Sequence, residues 1–221
     1  MFKDLVEKLK KLSRQRVSFD PSKFDDPIAA KTEWSPAKGG GANFKTHNLV
    51  RVNRNRFIFR SSIGARIFYS VFLLIGLGFA FGFSYYRIME GKFDFSMNSI
   101  FPILFGSIFS LAGGLMLFFG TKPIVFEKGS GYFWKGRKNP QFRRNVNDSK
   151  DSAKLSEIHA LQIIKEYVSG DKSSYYSYEI NLVLNDASRI NVVDHGKLQQ
   201  IREDAEKLSQ FLKKPVWDAT L

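Results

Sequence analysis

The sequence predicts an α-helical membrane hairpin joined to an α+β soluble domain, the latter an antiparallel sheet capped by a C-terminal amphipathic helix. Three observations carry this expectation. Two long central runs hold no charged residue, residues 175–193 alternate apolar and polar side chains as a β-hairpin does, and residues 197–213 repeat their apolar positions at helical spacing. The boundaries expected are an amphipathic helix over 1–16, an irregular basic arm with a strand over 17–62, the hairpin over 63–121 and the α+β domain over 122–221.

At the amino terminus, Phe2, Leu5, Val6, Leu9 and Leu12 share one helical face and Lys3, Lys8, Lys10 and Lys11 surround it. A basic amphipathic helix of this kind suits an anionic lipid surface or a partner's groove. Pro21, Pro27, Pro36 and the triple glycine 39–41 then interrupt regular structure. Phe24, Trp34 and Phe44 are more apolar than a free linker requires, so this arm is expected to pack on the soluble domain. The glycines lack the Gly-Lys-Ser/Thr sequence and the leading strand of a nucleotide loop. Residues 49–60 read as a strand with a cationic face.

From Ile67 to Tyr86 the chain runs 20 residues without a charge, and from Phe95 to Thr121 another 27. Both exceed the roughly 20 residues that cross about 30 Å of hydrocarbon, with spans expected over about 67–86 and 99–119. Cationic residues are retained on the cytoplasmic side. Residues 1–66 carry 15 Lys/Arg against 6 Asp/Glu, and residues 120–221 carry 17 against 13, while the short loop 87–98 carries 2 against 2. Arg51, Arg54, Arg56, Arg60 and Arg66 flank the first span, and Lys122, Lys128, Lys135, Arg137 and Lys138 follow the second. Both termini are therefore expected to face the cytoplasm. Small residues (Gly78 and Gly82, alongside Gly76, Ala80 and Ser84, in the first span; Gly106, Ser110 and Gly114 in the second) recur at helical spacing and permit close helix packing. Neither span contains an ionisable residue, which argues against a transport path.

Beyond the hairpin, 123–127 and 131–135 read as short strands, 136–154 as a mobile basic loop, and 158–168 as a strand. The hairpin 175–184 against 188–193 turns at Asn185-Asp186-Ala187. In the last helix Leu198, Ile201, Ala205, Leu208 and Leu212 form the apolar face, with Asp194 expected as N-cap and Pro215 as the stop. Antiparallel strands ending in one amphipathic helix beside a membrane hairpin resemble the bacterial pleckstrin-homology-like domains of small two-helix membrane proteins, over residues 123–217. The resemblance is architectural. It implies a PH-like sheet and a bacterial inner-membrane location, and it assigns no binding residue.

The chemistry is sparse. With no cysteine there is no disulfide, thiolate nucleophile or cysteine-held metal. His47, His159 and His195 lack metal-site spacing, and no nucleophile elbow, phosphate loop or kinase signature occurs. Glu157, Glu166 and Glu179 read as solvated carboxylates on strands. The expectation is a non-enzymatic integral membrane protein, without cofactor or metal, whose cytoplasmic domain binds a protein partner or anionic lipid headgroups. The candidate residues are Arg137, Lys138, Arg143 and Arg144, with Lys8, Lys10 and Lys11 of the amino-terminal helix. The alternative is an oligomeric assembly factor or pore associating through the glycine-rich helices. Nucleic acid is disfavoured, because stacking aromatics are not interleaved with the basic residues.

Overall fold

A computed structural model describes residues 19–142, 151–170 and 173–221. The expected helix over 1–16, with Lys8, Lys10 and Lys11, and the basic residues Arg143 and Arg144 lie outside the described residues. The chain divides into two compact units, one built from residues 44–153 and one from residues 1–43 and 154–221.

The 44–153 unit holds the hairpin. Strand β1 (His47–Asn53) turns back into β2 (Arg56–Ser61). Asn53 makes that turn itself, its side-chain oxygen accepting the Asn55 N–H at 2.8 Å. Ser62 follows β2 and caps the first long apolar helix, α2 (Ile63–Met89), by accepting the Ala65 N–H at 3.1 Å. Within α2 the segment Gly78–Phe83 widens to π-helical geometry. After a short loop, α3 (Met97–Gly120) returns. Both helices are long and apolar enough to cross a bilayer, and only 11% of each apolar window is buried within the protein, as a lipid-facing surface requires.

Strands β3 (Ile124–Glu127), β4 (Tyr132–Lys135) and β5 (Ser152–Lys154) follow, and the sheet order is β1-β2-β3-β4-β5. Strand β3 pairs antiparallel with β2, placing Phe59 opposite Ile124 and Arg56 opposite Glu127. The apolar helical hairpin is thus an insertion between two neighbouring strands of one sheet. An antiparallel pair at its base brings the start of α2 and the end of α3 to the same side of the hairpin. Phe59, Phe126 and Phe133 are fully buried on one face of this sheet, while Ile58, Val125 and Trp134 cluster on the other.

In the other unit the arm contains a 3-10 turn, Pro21–Phe24, and a short helix α1 (Pro27–Lys31). The two begin alike. Asp20 accepts the Ser22 N–H at 3.0 Å and Asp26 the Ile28 N–H at 2.8 Å, each with proline next in sequence. Strands β6 (Ile158–Ser169), β7 (Ser174–Leu184) and β8 (Arg189–His195) form an antiparallel meander. Helix α4 (Leu198–Leu212) follows, and β9 (Val216–Asp218) pairs parallel to β6, giving the order β8-β7-β6-β9. Helix α4 buries Ile201, Ala205, Leu208 and Phe211. Ala29, Ala160, Val183 and Trp217 form a second cluster, joined by Phe24 and Trp34 of the arm. The rings of Phe24 and Trp34 stack at 5.4 Å.

Helices, antiparallel strands and two apolar spans are all present, so the α+β class stands at that level. Several finer expectations change. Residues 123–135 do not share a sheet with the strands after 158; they pair with 47–61, so the stretch likened to a PH-like domain contributes to two sheets. Asp194 does not cap α4, because β8 continues through His195 and the helix starts at Leu198, with Lys197 in the cap position and no side-chain cap bond. Glu179 is not solvated: only 2% of its surface is exposed.

Candidate membrane-surface interface

The hairpin's packing fixes what its ends present. A Cβ at Gly76 would collide with the backbone of Gly106 and Ser110, one at Gly106 with Ala80, and one at Gly113 with Leu73. These glycines let the helix backbones approach. Of the small residues expected to pack the helices, Gly76, Ala80, Gly106 and Ser110 lie in this seam. Gly78, Gly82 and Gly114 do not, since a Cβ at any of them would meet open space. The correction is angular: at about 100° per residue, the face carrying Gly76 and Ala80 turns Gly78 and Gly82 away.

At the sheet end of α3, Phe118 and Phe119 are 55% and 54% exposed. Lys122 places its Nζ 4.4 Å from the centre of the Phe119 ring and 5.9 Å from that of Phe118. Arg137 comes from the far side of the β3–β4 hairpin, its guanidinium carbon 5.1 Å from the Phe118 ring centre. Its Nη2 also donates to the Thr121 hydroxyl at 3.4 Å. The chain reaches that position through Gly136, whose φ of 122° is one that side chains resist. The Gly136 N–H donates to the Pro123 carbonyl at 2.8 Å, and Trp134 Nε1 donates to the Gly136 carbonyl at 3.1 Å. Two cations from separate elements thus converge on adjacent phenylalanines where the span ends. Each such contact contributes about 0.5–1 kcal/mol at an exposed site. Among the described residues, neither Lys122 nor Arg137 has a carboxylate at ion-pairing distance.

Lys138 is exposed beside Arg137. Arg54, Arg60 and Arg66 are exposed too, whereas Arg51 lies over the Phe57 ring at 5.8 Å and Arg56 pairs with Glu127 at 3.5 Å. Tyr69 adds an amphipathic ring at the same end of the hairpin, packed against Gly120. The sequence reading found Arg137 and Lys138 through charge alone. It missed Phe118, Phe119 and Thr121 as a platform, because only the Gly136 turn brings Arg137 back to α3.

The opposite end differs. Arg87 meets Asp94 at 3.7 Å and Lys92 meets Glu90 at 3.0 Å. Hydrogen bonds from Ser96 and Ser99, aided by Arg87, hold the Asp94 carboxyl below the usual aspartate range. Among the described residues no group of three or more His, Cys, Asp or Glu side chains is arranged to hold a metal ion.

No protein-family model, curated protein or solved structure matches the chain.

Proposed function

We propose that the chain is a two-pass, non-catalytic membrane-anchored module whose 44–153 unit engages anionic lipid headgroups at the cytoplasmic face of a bacterial inner membrane. The observation that carries this reading is the placement of Lys122 and Arg137 over Phe118 and Phe119. Aromatic rings at the end of a span belong at headgroup depth, and cations parked on them with no carboxylate partner among the described residues are available to phosphate. Each basic residue near an anionic leaflet contributes about 1 kcal/mol, so the pair supplies about 2 kcal/mol, roughly a thirtyfold lipid preference. The excess of Lys/Arg on the sheet side of both helices supports the cytoplasmic orientation, and a PH-like role is an expectation of the same kind.

The test is native mass spectrometry of the full chain released from nanodiscs of mixed phosphatidylglycerol and phosphatidylethanolamine. Retained lipid should be predominantly anionic, and Lys122→Gln with Arg137→Gln should abolish the bias. Equal retention of both lipids by the unaltered chain would remove the lipid reading and leave a protein partner as the ligand. A second reading, assembly of several copies, is favoured by Gly78 and Gly82, which the hairpin's own seam leaves unused. A strict monomer in mild detergent sinks it.

A further inference from the structure

In the unit built from residues 1–43 and 154–221, the arm from Glu33 to Ala42 lies along one face of the four-stranded sheet. Apart from the ion pair between Glu33 and Arg189 at 3.1 Å and the Trp34 ring packed beside Trp217, the sheet holds this stretch by its backbone. Arg189 donates to the Ser35 carbonyl at 2.6 Å and Gln162 to the Glu33 carbonyl at 2.9 Å. Tyr175 and Ser177 donate to the Gly41 and Ala42 carbonyls at 2.9 and 3.0 Å.

Two carboxylates take the arm's amides in matching fashion. Glu166 accepts the Gly40 and Gly41 N–H groups at 2.9 and 3.0 Å. The triple glycine that reads as an incomplete phosphate cradle therefore cradles the chain's own carboxylate. Gly40 has φ 79°, and a Cβ at Gly41 would collide with Ser177. Glu179 accepts the Ala37 and Lys38 N–H groups at 2.6 and 3.3 Å, together with Asn181 at 2.8 Å and Asn191 at 3.2 Å. Glu166 is half-exposed, whereas Glu179 is 2% exposed.

We propose that residues 33–42 form a reversible strap over this face, and that the ionisation state of Glu179 sets how firmly it closes. A carboxylate shut away from water is costly even when hydrogen-bonded, and here the strap is what shuts it away. The charged groups around it are Arg189 on β8, Asp194 opposite it in the β7–β8 ladder, Glu166 on the neighbouring strand and Lys38 of the strap. Burial raises the Glu179 carboxyl above the usual glutamate range, outweighing the bonds from Asn181, Ala37 and Lys38 and the Arg189 charge. The Asn181 amide oxygen is buried without a hydrogen-bond partner. Turning that amide over would present the oxygen to a protonated Glu179, which must donate.

The sign follows from linkage. A lifted strap returns Glu179 to water and to ordinary acidity, so closing takes up a proton. Closure is fully favoured below the ordinary glutamate value and weakens as pH rises through the raised one, by up to about tenfold per pH unit within that window.

The experiment is hydrogen exchange on the full chain in nanodiscs, following the amides of Ala37, Lys38, Gly40 and Gly41 as protection factors across pH, with those of β6 and β7 as the folded reference. The expected result is protection of the strap that falls severalfold as pH rises, at constant protection of the reference. Glu179→Gln should hold the strap at its low-pH protection throughout, and Glu166→Gln should keep the pH dependence. Strap protection that is flat with pH in the unaltered chain overturns the proposal, as does a folded Glu179→Gln chain whose strap is less protected than the original. If Glu179→Gln does not fold, the unaltered profile and that of Glu166→Gln decide.

Discussion

The two ends of the membrane hairpin contain similar residue types and put them to different use. At the loop between the helices, Arg87 and Lys92 face Asp94 and Glu90, and the charges close on one another. At the sheet, Lys122 and Arg137 lie on exposed rings with no carboxylate beside them among the described residues. Self-neutralised charge needs nothing from the surroundings and crosses a membrane in synthesis with little penalty. Uncompensated charge held at a fixed depth resists translocation and selects what lies against it. On the proposed reading, the asymmetry serves both as an orientation device and as a recognition surface.

The largest effect should come from reversing it. Glu90→Lys and Asp94→Lys combined with Lys122→Gln and Arg137→Gln should give mixed or inverted insertion, read by protease access in sealed vesicles. Next comes the seam that keeps the ends apart as distinct surfaces. Gly106→Leu forces the helices from contact at Ala80 and should cost several kcal/mol, of the order of an overpacked core, measured as loss of thermal stability in detergent. Gly78→Leu, facing open space, should be nearly neutral. Arg137→Gln alone should weaken anionic-lipid retention by about 1 kcal/mol, roughly fivefold. Arg87→Gln at the end of α2 should change stability by under about 1 kcal/mol, since its Asp94 partner is exposed and the pair is long at 3.7 Å. A larger effect there would show that the loop charges are structural in their own right.

The two long apolar helices were legible because each charge-free run is local in the sequence and meets the length that crossing a bilayer demands. The strands at 174–195 were legible from alternation and from the Asn185-Asp186-Ala187 turn, where Ala187 takes φ 66°, and the strand at 158–169 only from β-branched content and its neighbours, since its spacing also suits a helix. Pairing between distant segments was not. Nothing local in residues 123–127 says that they join 56–59 across the whole hairpin rather than the strands that follow. Glu179 looked solvated for the same reason, because the Ala37 and Lys38 amides that cover it come from 142 and 141 residues away. Asp194 looked like a cap because β8 could not be seen to extend to His195. Small residues occupy more than one face of the first span, Gly78 and Gly82 on one and Gly76 and Ala80 on another, and only the packing of α2 on α3 selects between them.

The most direct test of the asymmetry is single-cysteine labelling, made simple by a chain that has no cysteine of its own. Phe95→Cys reports the loop between the helices and Gln141→Cys the sheet end, each probed with an impermeant thiol reagent on intact cells and then on opened membranes. Phe95→Cys should label on intact cells, and Gln141→Cys only after the membrane is opened. Labelling of Gln141→Cys on intact cells, with Phe95→Cys protected, would contradict a cationic end held at the cytoplasmic leaflet.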